Sequence, residues 1–218
     1  MARLRTEPVK LQAGKPQNIV LSGLKPDTAY NYRLTYRRAG GEMAQDVMRS
    51  FHTQRKAGSS FRFVMQADSH LDNNTDVRVY QQSLANMLTD KPDFMIDLGD
   101  TTMVDKFGQF FRRSESQYKA QRYYMGRIAH SVPIFMVLGN HDGERGSDPD
   151  MSEWSLGMRH TYFPNPTDGN DKHSYFAFEW GNALFIGLDP FWSTMRRGAS
   201  GWEMTLGETQ YRWLAQTL

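Results

Sequence analysis

Asp68-Ser69-His70, Gly99-Asp100 and Gly139-Asn140-His141-Asp142 gather carboxylate, imidazole and amide groups into three short segments. Each follows an apolar run that reads as a buried strand, at 61–65, 94–96 and 134–138. In an open α/β sheet, ligands bind outside the carboxyl ends of the strands, so the three segments would converge. Hard oxygen donors mixed with imidazole suit Mn, Fe or Zn. Asp68 and His70 are two residues apart, a spacing that turns both side chains to one side and lets both reach one cation. Asp100 follows Gly99, which permits a sharp exit from the strand, and its two carboxylate oxygens can bridge two ions. Asn140 offers a neutral amide oxygen. Two ions so held activate a water and stabilise the attacking and leaving oxygens of a displacement at phosphorus. A protonated His141 beside them would bind a phosphate oxygen or protonate the leaving group. Asp142 is the neighbouring carboxylate expected to orient that imidazole and raise its pKa.

These residues need a sheet with helical crossovers to bring them together, and the pattern beyond residue 60 provides one. Val77, Tyr80, Leu84, Met87 and Leu88 recur at helical spacing. A strand is expected at 93–98, a helix at 117–129 and a strand at 133–138. A hairpin is expected across Trp180-Gly181-Asn182, from strands at 175–179 and 184–188. Thr205-Leu206-Gly207-Glu208 has the pattern of a capping box opening a last helix through Trp213, Leu214 and Leu218. The fold class expected is α/β, layered around a mostly buried sheet.

The first 55 residues read differently, as β structure. Strands are expected at 17–21, 30–37 and 47–53. In the second of these, Tyr30, Tyr32, Leu34 and Tyr36 would share one face. Leu24-Lys25-Pro26-Asp27-Thr28 is a turn, since Pro26 presets φ and Asp27 favours the turn backbone. Gln54 to Ser60 is polar and carries Gly58, Ser59 and Ser60, as a linker would.

Composition sets outer bounds. A chain of 218 residues that is 39% hydrophobic can build a core, and a net charge of +2 does not demand a polyanionic partner. Arg112-Arg113 and Arg196-Arg197 read as solvated surface rather than a nucleic-acid footprint. The absence of cysteine excludes disulfides, thiolate metal ligands and a cysteine nucleophile. No run approaches the ~18 apolar residues of a membrane span. Met1 to Pro8 has no apolar signal core.

Asp-x-His, Gly-Asp and Gly-Asn-His-Asp in this order resemble the calcineurin-like metallophosphoesterase superfamily over residues 61–218. Tyr162-Phe163-Pro164-Asn165-Pro166 and Tyr175-Phe176-Ala177-Phe178 are similar to its purple acid phosphatase branch. Leu21 to Tyr30 resembles the tyrosine-corner region of fibronectin type III sandwiches, with Tyr30 as the corner residue. A full sandwich needs about seven strands and about 100 residues, so residues 1–55 would be the C-terminal part of one, and 56–60 the linker. The resemblance implies that Asp68 and His70 bind a first metal, Asp100 bridges, Asn140 binds a second and His141 contacts phosphate. It implies two divalent or trivalent ions (Fe, Mn or Zn), a small phosphorylated substrate, no nucleic-acid or membrane partner, and a periplasmic or extracellular location. Hydrolysis of phosphomonoesters is the activity expected, with diesters or a non-catalytic phosphate- or metal-binding module as alternatives.

Two departures qualify the resemblance. Purple acid phosphatases carry a tyrosine three residues after the bridging aspartate, and its phenolate colours the iron; here that residue is Met103. The family also places metal-binding histidines late in the chain. The six histidines here, His52, His70, His130, His141, His160 and His173, include none in such a segment. The chain therefore reads as a fragment with a weak second metal site and low or absent turnover.

The remaining polar residues take structural readings. Asp97 points away from Leu98 and supports from behind. Asp72 and Asp76 cap the helix beginning near Val77. His130 is a favourable charge at a helix end. His160 and His173 are packed or surface residues, and His52 has no visible partner. Trp154, Trp192 and Trp202 are packing residues.

Overall fold

The computed structural model describes residues 4–144, 148–167, 172–191 and 201–218. Three parallel strands, β5 (Phe63–Gln66), β6 (Phe94–Asp97) and β7 (Ile134–Met136), form a sheet in that spatial order. Parallel neighbours need long crossovers. Helix α1 (Val77–Thr89) makes the first, and a 3₁₀ stretch (Val104–Ser114) running into α2 (Glu115–Ala129) makes the second. Strand alternation sends Met95 toward these helices, where it packs with Tyr80, Leu84, Ile128 and Val132. Phe94 points to the opposite face. There it meets Phe178, Trp180 and Phe185, whose ring centroids lie 5.4, 5.0 and 5.1 Å away. Those rings belong to the antiparallel hairpin β8 (Phe176–Trp180) and β9 (Ala183–Gly187). The order of layers is helices, parallel sheet, aromatic hairpin.

A second core joins the 3₁₀ stretch and α2 to α3 (Pro149–Tyr162) through Val104, Phe111, Tyr118, Met151, Met158 and Tyr162. Helix α3 has no counterpart among the sequence expectations. Its inward face includes Ser155 and Arg159, so polarity disguises the buried stripe. Its start was nonetheless marked, because the Asp148 side chain caps the Met151 N–H and Pro149 follows at the first turn. Helix α4 (Glu208–Thr217) begins without the expected capping box. Its cap is Gly207 at φ +79°, and Thr205 Oγ1 accepts from Gly207 N at 3.2 Å instead of from the helix.

Among the described residues, the first segment holds four short strands instead of the three longer ones expected. β1 (Ala29–Tyr32) pairs with β4 (Arg49–His52), and β2 (Thr35–Arg37) pairs with β3 (Met43–Gln45). No strand forms at 17–21, and the expected strand 30–37 breaks at 33–34. Tyr30 and Tyr32 share a face against Phe51, whereas Leu34 and Tyr36 are exposed. Tyr30 Oη accepts from Lys25 N at 2.8 Å, so the tyrosine reaches back to the turn. His52 does have partners, Thr53 O at 2.6 Å and Arg55 Nη1 at 2.9 Å. His130 stands at the C-terminus of α2, but burial and Arg49 push its pKa down. The expected helix-end cation is thus disfavoured. Trp154 packs on Phe111 and Tyr118, while Trp202 is exposed. Trp192 and Arg196-Arg197 lie outside the described residues.

Glu115, at the start of α2, ties the first segment to the second. It receives Tyr162 Oη at 2.8 Å and Lys15 Nζ at 3.3 Å, and Tyr162 Oη also lies 3.2 Å from Gly14 O. The Tyr162 hydroxyl, then Lys119 and Lys15, hold the Glu115 pKa at about 2 against the usual 4.5. A depressed carboxylate stabilises the fold above its unfolded pKa, and that contribution is lost as pH falls through the folded value. Glu115 therefore contributes fully above pH 4.5 and progressively less down to about 2. Glu115→Gln is expected to destabilise the chain near neutrality, by an amount that shrinks across this window. Urea unfolding at about pH 6 and about pH 3 checks it; an equal gap at both would exclude the linkage.

Candidate metal centre

β6 and β7 come so close at their carboxyl ends that a side chain on either exit residue would collide with the other loop. A Cβ at Gly99 would overlap the Gly139 backbone, and one at Gly139 would overlap Asp100. Gly99 also has φ +96°, a conformation that favours glycine. The two glycines let the loops carrying Asp100 and Asn140 run in contact. Asp68 N donates to Gly99 O at 3.0 Å and His70 N to Asp100 O at 3.2 Å, so the loop after β5 is laced to the loop after β6.

This brings together three of the expected ligands. Asp68, His70 and Asp100 each offer one donor atom within 4.8 Å of the others. His70 Nε2 lies 3.5 Å from Asp68 Oδ1 and 3.9 Å from Asp100 Oδ2. It is buried and makes no hydrogen bond among the described residues. Two donors each ~2.1 Å from one ion stand ~3.0–3.4 Å apart at octahedral to tetrahedral angles. The observed 3.5 and 3.9 Å are a few tenths of an ångström wider, so the three side chains would close slightly around an ion, and their oxygen–imidazole chemistry suits a divalent transition metal. Asp68, His70, Leu71 and Asp100 have φ of 58°, 46°, 54° and 50°. Four non-glycine residues in the left-handed region across two short loops are local strain of the kind that concentrates at functional sites.

Asn140 is half-buried between two anchored neighbours. Gly139 N donates to Asp142 Oδ2 at 2.8 Å, and His141 N to Asp100 Oδ1 at 2.8 Å. Its position is fixed by backbone on both sides, next to Asp100. The His141 ring lies 6.0 Å from that of His70, nearly perpendicular to it.

Asp142 does something other than expected. It does not orient His141. The carboxylate on His141 Nδ1 is Asp105, at 2.8 and 2.9 Å. Asp142 is fully buried and accepts from the backbone N–H groups of Asp100, Thr101, Thr102 and Gly139 and from the Thr102 hydroxyl, at 2.8–3.1 Å. Arg159 Nη2 stands 3.8 Å away and bonds Glu144 through Nε at 2.6 Å. Asp142 is the knot that ties the β6 and β7 loops. Asp105 escaped sequence reasoning because it stands five residues past Asp100, on an irregular 3₁₀ stretch whose period says nothing about direction.

The supporting residues sit behind this layer. Asp97 is buried and receives the Gly99 N–H and the Thr101 and Gln66 side chains. Burial pushes its pKa up to about 6, against the effect of those hydrogen bonds. Asp76 caps α1 as expected, through the Arg78 N–H at 2.9 Å. Asp72 instead closes a turn on Asn74 N at 2.8 Å and lies 3.8 Å from His70 Nδ1. His173 is buried and stacks on Tyr175 at 3.8 Å, and His160 is half-buried on α3.

Residues 61–216 match the family model of the calcineurin-like phosphoesterases. The chain is 23% identical over 206 residues to purple acid phosphatase 13 of Arabidopsis thaliana, covering 82% of this chain and 36% of that protein. It is 23% identical over 201 residues to purple acid phosphatase 15 of the same plant, covering 82% and 35%. The chain thus spans about a third of the length of the curated relatives it matches. Its fold is similar to purple acid phosphatase PPD1 from yellow lupin (Lupinus luteus) seeds, with TM-score 0.61 and 18% identity, over 89% of this chain and 34% of that one. It is also similar to PhoD, with TM-score 0.60 and 17% identity, over 89% and 45%.

Proposed function

The chain belongs to the calcineurin-like phosphoesterase family, and from that premise we propose that it hydrolyses phosphate monoesters through a metal-activated water. The observation that carries this reading is the convergence of Asp68, His70 and Asp100 at two strand ends, with an unpartnered buried imidazole nitrogen among them. The plant relatives, both purple acid phosphatases, support monoesters as the substrate class.

Asp68, His70 and Asp100 would hold a first ion, and Asp100 together with Asn140 would hold a second. Metal ions held there would supply activation of a water and charge neutralisation at phosphorus. With Nδ1 on Asp105, His141 has Nε2 left to bind a phosphate oxygen or to protonate the leaving oxygen. Asp142 holds the loops and takes no part in proton transfer. The tyrosine-to-backbone bond at Lys25 supports reading residues 1–55 as part of a fibronectin-like sandwich, and the family match over 61–216 supports 61–218 as the phosphoesterase unit.

The test is elemental analysis after loading with Mn, Fe or Zn and extensive desalting, beside hydrolysis of p-nitrophenyl phosphate and bis(p-nitrophenyl) phosphate. One ion retained per chain, a second held weakly, and slow metal-dependent cleavage of the monoester are expected. No retained ion would overturn the reading. Retention without turnover would leave a binding module, and faster cleavage of the diester would change the substrate class. Met103 is buried where the purple enzymes have tyrosine, and a thioether cannot replace a phenolate. The iron-loaded chain is therefore expected to lack an intense visible band, and its absorption spectrum checks this directly.

A further inference from the structure

Gln121 is fully buried in α2, on the helix layer beneath the metal centre. A primary amide has two N–H donors and one carbonyl acceptor. Here Nε2 donates to Ser69 Oγ at 2.9 Å and to Thr101 O at 2.6 Å, and Oε1 accepts from Tyr80 Oη at 2.9 Å. Ser69 lies between Asp68 and His70, and Thr101 follows Asp100. One side chain therefore grips both loops that carry the three clustered ligands, and α1 steadies it through Tyr80.

We propose that Gln121 is a positioning residue for the cation site, setting how closely the Asp68–His70 loop stands to Asp100 and so how tightly the first ion is held. The inference rests on the metal reading given above. The two loops are otherwise linked by backbone bonds, Asp68 N to Gly99 O and His70 N to Asp100 O. Those bonds hold the loop at Asp68 and at His70, and the Gln121 amide holds Ser69 between them. That loop holds three left-handed residues, Asp68, His70 and Leu71, with Ser69 between the first two. Such conformations persist only where surrounding contacts over-determine them. The amide of Gln121 is a contact of this kind, reaching Ser69 from inside the fold. Groups that orient metal ligands from behind typically change affinity by about 10- to 100-fold when lost.

The experiment is Mn²⁺ titration of the whole chain by calorimetry, with Mn²⁺-induced thermal shift as a second readout. Gln121→Met keeps length and burial but removes all three hydrogen bonds. It is expected to raise the Mn²⁺ Kd by about 10- to 100-fold, within the range seen when partners of ligands are lost. The gain in Tm on adding Mn²⁺ should shrink accordingly, since that gain reports affinity. Tyr80→Phe removes only the bond to α1 and should leave the Kd within about twofold, although metal-free stability falls. A merely structural role predicts lower metal-free stability for both variants with unchanged Kd, and that result overturns the proposal. If Gln121→Met does not fold, Ser69→Ala decides: a Kd raised severalfold supports the proposal, and an unchanged Kd overturns it. A parent chain that binds no Mn²⁺ overturns the metal reading together with the proposal; a parent that binds, with variants that bind equally, overturns the proposal alone.

Discussion

Alanine at position 141 is expected to lower phosphoester turnover by about 100- to 10,000-fold, the range for losing a positioned general acid, while metal content and fold remain those of the parent. The two effects separate because side chain and backbone have different tasks at this residue. The His141 N–H donates to Asp100 Oδ1 at 2.8 Å, and alanine keeps that bond. The ring is engaged by Asp105 and stands beside His70, outside the two core clusters. Its removal costs an acid and an anion contact, with little packing. The measurement is p-nitrophenyl phosphate hydrolysis by Mn-loaded parent and variant, normalised to metal per chain. A loss below about tenfold at equal metal content would remove His141 from the chemistry.

Asp142→Ala should act on the fold instead. Four backbone N–H groups and the Thr102 hydroxyl converge on this carboxylate, and Arg159 stands 3.8 Å behind it. Removing it strands buried donors and weakens the compensation of a buried guanidinium. The expected cost is about 3–5 kcal/mol, as for breaking a buried ion pair from one side. The Gly139 and Asp100 backbones would part, so Mn²⁺ retention should fall with stability. Asp142→Asn keeps one acceptor oxygen but turns its NH₂ on donors, and should remain strongly destabilised. Urea unfolding of the metal-free chain is decisive. A cost under about 1 kcal/mol together with lost turnover would restore the direct chemical role that adjacency to His141 first suggested.

The contrast between these neighbours marks what could be read in advance. Asp68, His70 and Asp100 were legible because the ends of parallel strands impose a place, and a place imposes residue types. Gly99 was legible as a sharp strand exit, whereas the close approach that excludes a Cβ at both Gly99 and Gly139 is visible only in the fold. Strand and helix periods located α1 and α2, the helices that link the three parallel strands, but not the 3₁₀ stretch before α2. Helix α3 was hidden, because its buried face carries Ser155 and Arg159, the latter neutralised by Glu144. Strand expectations failed at 17–21, which joins no strand ladder among the described residues, and at 33–34, where the chain passes from the β4 ladder to the β3 ladder.

By itself, the sequence determined the order of strands and helices apart from α3, the three strand ends where carboxylate, imidazole and amide groups gather, and the family to which they point. These are local facts, set by periodicity, by turn stereochemistry and by donor types. Only the tertiary structure decided which carboxylate serves which partner. Asp142 is adjacent to His141 in the chain yet faces inward to a nest of N–H groups, while Asp105, 36 residues away, takes the imidazole. Gln121, a polar residue on a helix, turned out to be clasped between two loops. Pairings of this kind depend on where separate segments cross, and distance along the chain carries no record of that.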